Sequence, residues 1–145
     1  MPQDHQKANE LLLKGGELGC ADAYHNLSVS YEQGRGVAID EKKALHFYEL
    51  AAMGGHVVSR YNLGYFEGQA GNDQRAMKHY IIAAKSGMNE ALKEVREGYK
   101  DGHVTKDKYA NTLRAFQVSV NEMKSVERDR VMGIYGTTGQ RRRVV

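Results

Sequence analysis

"KKALHFYELAAMGG", residues 42–55, returns 32 residues later as "QRAMKHYIIAAKSG", residues 74–87. Ala44, Tyr48, Ala51, Ala52 and Gly55 reappear as Ala76, Tyr80, Ala83, Ala84 and Gly87, spaced i, i+4, i+7, i+8 and i+11. At about 100° per residue, these positions span a sector of roughly 100° on an α-helix. One helical stripe is therefore written twice, in small residues with a single tyrosine. Small side chains let another helix approach closely, and the tyrosine fills the space beside them. Elsewhere the two copies diverge, as Glu49 against Ile81 and Met53 against Lys85 show. A segment of this kind cannot bury its stripe alone and needs neighbours, which is the logic of a solenoid unit.

A third copy lies upstream. In "QKANELLLKGGELG", residues 6–19, Lys7, Ala8 and Gly19 correspond to Lys43, Ala44 and Gly55, while Gly15 and Gly16 replace the alanine pair. A second helix type, A, alternates with this type, B. "ADAYHNLSVSY" (21–31) sets Ala23, Leu27 and Tyr31 on one i, i+4, i+8 line. "VSRYNLGYFEG" (58–68) repeats Asn-Leu at 62–63, and "EALKEVREGY" (90–99) places Ala91 and Val95 at the same positions. The turn "EQGRGVAID" offers Gly34 and Gly36 for left-handed backbone and Asp40 as the next N-cap. Asp73 and Asp107 are expected to cap the following B helices, and Asp4 holds the same place before the first. The order is one lone helix B and then three A–B pairs.

This pattern resembles the Sel-one-like repeat family, a relative of the tetratricopeptide repeats. It is carried by Ala23, Asn26-Leu27, Tyr31, Gly34-Arg35-Gly36-Val37, Asp40, Lys43-Ala44, Tyr48, Ala51-Ala52 and Gly55. The resemblance runs from residue 4 to about 120. It implies an all-α, right-handed α/α solenoid of antiparallel helix pairs. The expected divisions are 4–20 (half of a truncated first repeat), 21–56, 57–89, a divergent repeat with a capping helix at 90–127, and a basic, disordered tail at 128–145. The capping stripe is Tyr109, Leu113, Phe116, Val120 and Met123. Since Met1 falls within an A-to-B turn, the sequence reads as a truncated member.

Composition narrows the function. Of 145 residues, 41% are hydrophobic, and no apolar run approaches the roughly 18 residues of a membrane span. A lone Cys20 cannot form an internal disulfide, and with no apolar leader the chain is placed inside the cell, in the cytoplasm rather than the nucleus. Net charge is +3, but residues 128–145 hold +4 of it and the body is −1. Nucleic acid is therefore not an expected partner. The tail arginines Arg141, Arg142 and Arg143 are the only residues that suggest one. No CxxC, HExxH, Walker or Ser-x-x-Lys motif occurs, so no catalytic residue, metal ligand or cofactor is expected. His5, His25, His46, His56, His79 and His103 form no repeated ligand set.

Resemblance to the tetratricopeptide-like solenoids puts the A helices on the concave face. Counting from Leu27, Leu63 and Val95, the inward candidates are His25, Asn26 and Val29, then Tyr61, Asn62 and Tyr65, then Lys93 and Glu97. Asparagine side chains can hold an extended peptide backbone, and tyrosine adds contact area at low entropic cost. The expected function is that of a non-catalytic adaptor binding a protein or peptide. Two alternatives stand beside it. One is the substrate-recognition half of a RING-type ubiquitin ligase, with a zinc module upstream; the other is a β-lactamase-like hydrolase, which would need a nucleophile–base pair.

Overall fold

The structure, a computed structural model, describes residues 2–133, with side chains from Asp4 onward. Seven helices follow one another: α1 (Pro2–Glu17), α2 (Ala21–Gln33), α3 (Glu41–Met53), α4 (Val57–Gln69), α5 (Asp73–Lys85), α6 (Asn89–Lys100) and α7 (Lys106–Val131). The described residues contain no strand. Each helix packs against the next, and α5 also packs against α7, so the chain is an α/α solenoid.

The duplicated stripe is the core. Ala44, Tyr48, Ala51 and Ala52 of α3 are all buried, as are Ala76, Tyr80, Ala83 and Ala84 of α5. The A helices answer with Ala23 and Leu27, then Leu63, then Ala91 and Val95. Two apolar clusters result. One gathers Ala44, Tyr48, Ala52 and Leu63; the other gathers Ala76, Tyr80, Ala83, Ala84, Ala91, Leu92, Val95 and Val104.

The glycine ending each stripe has a backbone reason. Gly19, Gly55 and Gly87 sit at φ 101°, 94° and 100°, where a side chain is strained. This left-handed step turns the next N–H back into the helix. Cys20 reaches the Gly15 carbonyl at 2.9 Å, His56 that of Ala51 at 3.0 Å, and Met88 that of Ala83 at 3.3 Å.

Asp40 caps α3 as expected, accepting the Lys43 N–H at 3.1 Å. The other three aspartates do not. α1 already runs from Pro2, which puts Asp4 in its first turn. Asn72 is the N-cap of α5, so Asp73 is its first helical residue. Thr105 caps α7, its Oγ1 accepting the Lys108 N–H at 3.2 Å, with Asp107 in the first turn. The shorter turns at 70–72 and 101–105 start each helix earlier than a count from Asp40 suggests. At all three places the carboxylate instead faces the positive end of the helix dipole.

Tyr109, Leu113 and Phe116 of α7 pack on the second cluster. Met123 is 51% exposed. Thr112 is fully buried, its hydroxyl donating to the Lys108 carbonyl at 2.7 Å. α7 continues to Val131, four residues into the segment read as tail; residues 134–145 lie outside the described residues.

At the other end, α1 packs on α2. Gly16 is buried because the Tyr24 ring lies where a Cβ would stand, so the glycine accommodates that ring. Leu11 and Leu18 are 68% and 88% exposed. A helix covered on one side, carrying two glycines worth roughly 1 kcal/mol each in helix propensity, is the weakest unit. Amide hydrogen exchange is expected to open α1 before residues 42–87, and equal protection of the two would refute this.

Candidate functional site

The A helices α2, α4 and α6 carry the residues expected to meet a partner. Asn26, Tyr65, Lys93 and Glu97 are exposed; His25, Val29, Tyr61 and Asn62 are half-buried. The half-buried polar groups have partners inside the protein. Tyr48 of α3 donates its hydroxyl to Glu32 at 3.0 Å, and the Asn62 amide donates to the same oxygen. Asn62 thus ties α4 to the stripe of α3. Tyr61 rests its ring against Tyr80, with centroids 5.2 Å apart.

His25 belongs to a polar clasp between α2 and α4 that motif reading missed. Its Nδ1 lies 3.0 Å from Ser59 Oγ, and its ring stacks on His56 at 4.4 Å. His56 is the N-cap of α4, its Nδ1 accepting the Ser59 N–H at 3.1 Å. With Nδ1 accepting, the ring proton sits on Nε2, 3.2 Å from Asp22. Asp22, His56 and Ser59 therefore repeat the acid–imidazole–hydroxyl order of a serine hydrolase. Ser59 is wholly buried, however, so no substrate carbonyl can reach its Oγ. Its hydroxyl also lies 2.9 Å from His56 Nδ1, the nitrogen already committed to the cap. The cluster joins two repeats and is not built for acyl transfer. Only the third dimension reveals it, because none of its residues recurs: Ser59 is matched by Ala23 and Ala91, and His56 by Cys20 and Met88.

Burial pushes the His25 pKa down, and the neighbouring His56 pushes the same way, opposed by Asp22 and Glu32; the Tyr48 ring closes the remaining side. His79 is lowered by burial and by Arg60, whose Nη1 lies 3.5 Å from His79 Nδ1. Both histidines titrate lower in the fold than in the unfolded chain, where the value is about 6.5. The unfolded state then binds more protons just below that pH. The stability held by the neutral rings is present above about pH 6.5 and is lost as pH falls through the folded values. The urea midpoint is expected to fall from about pH 7.5 to about pH 5, and less steeply in a His25→Gln, His79→Gln double variant. Parallel profiles would contradict this.

Of the expected site residues, the structure brings Tyr65 and Glu97 to one open hollow where α4, α5 and α6 meet. Its volume is about 380 Å³, and Gly68, Tyr80 and Glu94 line it with them. His25, Asn26, Val29, Tyr61, Asn62 and Lys93 do not line it.

The family model of the Sel1 repeat matches residues 1–20, 21–56 and 57–88, more than half of the chain. The chain belongs to the Sel1 repeat family. Sel1 repeats are generally protein-interaction modules and typically carry no catalysis. No curated protein matches the chain. Among solved structures, a Sel1 repeat protein from Oxalobacter formigenes superposes with a TM-score of 0.64 at 22% identity, covering 86% of this chain and 54% of that one. A protective antigen present in uropathogenic Escherichia coli strains, with an SLR fold, superposes with a TM-score of 0.59 at 25% identity. That match covers 74% of this chain and 25% of the antigen. The chain thus spans about a quarter to a half of the solved structures it matches, and the likeness carries the fold. No helix among the described residues is long and apolar enough to cross a membrane.

Proposed function

We propose that this Sel1 repeat chain is a non-catalytic adaptor that holds a segment of another protein against its A helices. The observation that carries this reading is the hollow at the junction of α4, α5 and α6, which joins Tyr65 of one A helix to Glu97 of the next. A half-exposed tyrosine beside a polar recess supplies contact area at low entropic cost, and binding energy concentrates at such anchors.

The test is partner capture by the full-length chain. Tyr65→Ala combined with Asn62→Ala is expected to abolish it, while Lys78→Ala, an exposed change on α5, leaves it intact. Because Asn62 bonds the Tyr48 hydroxyl, Tyr65→Ala is also measured alone, to separate lost contact from lost stability. Replacing Arg141, Arg142 and Arg143 by glutamine should not affect capture. If those replacements eliminate capture and the double variant retains it, the face is wrong and the arginines carry the binding, with high salt then releasing the partner.

A further inference from the structure

Tyr48 and Tyr80 hold the same place in successive units, yet only Tyr48 has its hydroxyl satisfied. Tyr48 donates to Glu32 and accepts from Asn62. Thirty-six residues on from Glu32 stands Gly68, and 32 on from Asn62 stands Glu94. The side chain that would meet the second tyrosine is missing at Gly68, and the hollow lies there instead. Tyr80 is 6% exposed, what remains accessible borders the hollow, and its hydroxyl makes no hydrogen bond to any described residue. The phenol oxygen opens on this recess, where a donor that enters can reach its lone pairs. Burial, and then Glu94, push the Tyr80 pKa up, which keeps the hydroxyl neutral with its lone pairs free.

The chemistry around it selects the occupant. Asp73, Glu94 and Asp101 share the lining with Tyr65 and Tyr80. Asp73 has His103 at 3.6 Å, while Glu94 and Asp101 have no ion pair among the described residues. Carboxylates and phenol oxygens accept hydrogen bonds, and the tyrosine faces attract cations. An anion would be repelled, and an apolar side chain would strip water from carboxylates without compensation.

We propose that this hollow seats the guanidinium or ammonium group of an arginine or lysine in a basic segment of the partner protein. The inference rests on the interaction face proposed above and gives it a ligand class. The repeat comparison also supplies an internal blocker. A Cβ on Gly68 would meet only the Ala76 Cβ, at 3.9 Å, so Gly68→Glu rebuilds the first unit's arrangement inside the second.

The experiment measures binding of three labelled peptides to the full-length chain by fluorescence anisotropy. The peptides are alike except for three consecutive arginines, lysines or glutamines. The arginine and lysine peptides are expected to bind and the glutamine peptide not. The arginine-to-lysine ratio reports whether the planar fork or the charge alone is read. Glu94→Gln should weaken binding about tenfold or more, and Tyr80→Phe severalfold, with thermal melts preserved. Gly68→Glu fills the hollow but also adds a negative charge, so it is read beside Gly68→Gln, which fills it without charge and should weaken binding about tenfold. If Gly68→Glu lowers the melt, Glu94→Gln, which adds no volume, decides. Binding by the glutamine peptide, or undiminished affinity in Glu94→Gln, overturns the proposal. So does an absence of binding both in the wild type and after Arg141, Arg142 and Arg143 are replaced by glutamine. Binding that appears or tightens on those replacements supports it and identifies the chain's own tail as a competing cation. Partner capture that still depends on Tyr65 while no cationic peptide binds removes only the ligand class; capture indifferent to Tyr65 removes the face.

Discussion

Tyr48→Ala is expected to destabilise the protein by about 3–5 kcal/mol, the range for removing a large buried aromatic side chain. Tyr48 is 2% exposed, the largest fully buried side chain, and packs with Ala44, Ala52 and Leu63. The two alanines lie on its own helix, and Leu63 with the His25 and Phe66 rings closes on it from α2 and α4, held there by contacts of their own, so the space left would be filled only in part. The hydroxyl adds its own share. Tyr48→Phe keeps the ring but leaves Glu32 and Asn62 without their common partner, at about 1 kcal/mol. The damage should also be local. The core around Tyr48 is separate from the one around Val95, and solenoid units are stabilised by nearest neighbours. Hydrogen exchange in Tyr48→Ala should therefore show α2, α3 and α4 losing protection while α6 and α7 keep most of theirs. A urea midpoint within error of wild type would mean that the ring is not the filler its burial indicates.

The same residues show how far a sequence carries and where it stops. Ala44, Tyr48, Ala51 and Ala52 could be placed on one buried face because their spacing fits a helical period and recurs; a constraint written twice is hard to misread. Gly55 and Gly87 were legible for the same reason, and their left-handed φ explains the recurrence. The helix starts were less so. Capping depends on the residue at which a turn hands over to the helix, and loops of different length moved that residue to Asn72 and Thr105. The clasp of Asp22, His25, His56 and Ser59 was beyond reach, since it joins two helices through residues that do not recur, with alanine where Ser59 stands in the other units. The hollow was half visible. Tyr65 and Glu97 follow from counting along the A helices, whereas Gly68 reads as an ordinary small residue until the Tyr48–Glu32 bond shows what it replaced. Repeats thus disclose their shared core through recurrence, and what sets one unit apart from the next through the positions where recurrence fails.

Ala83→Leu tests the shared core from the opposite direction, by overfilling it. Ala83 is 1% exposed on α5, the helix that packs against α4, α6 and α7, so its side chain has no solvent-facing escape. Ala84, Ala91 and Val95 of the same cluster are 0% exposed, and the interface is close because its residues are small. A leucine adds three heavy atoms to that contact and must either leave its preferred rotamer or push a helix away. Either response costs about 1–3 kcal/mol. The carbonyl of residue 83 also accepts the Met88 N–H at 3.3 Å, so displaced backbone here disturbs the turn that sets the angle of α6. Ile82→Leu, one residue away but 46% exposed, is the control and should shift the urea midpoint by less than about 0.5 kcal/mol equivalent. If both variants unfold like wild type, the stripe at residue 83 does not face a packed neighbour. If both unfold early, the sensitivity belongs to α5 as a whole and not to the small side chain at its contact. The expected pattern, Ala83→Leu damaged and Ile82→Leu spared, would mark that alanine as a limit on how closely two helices approach.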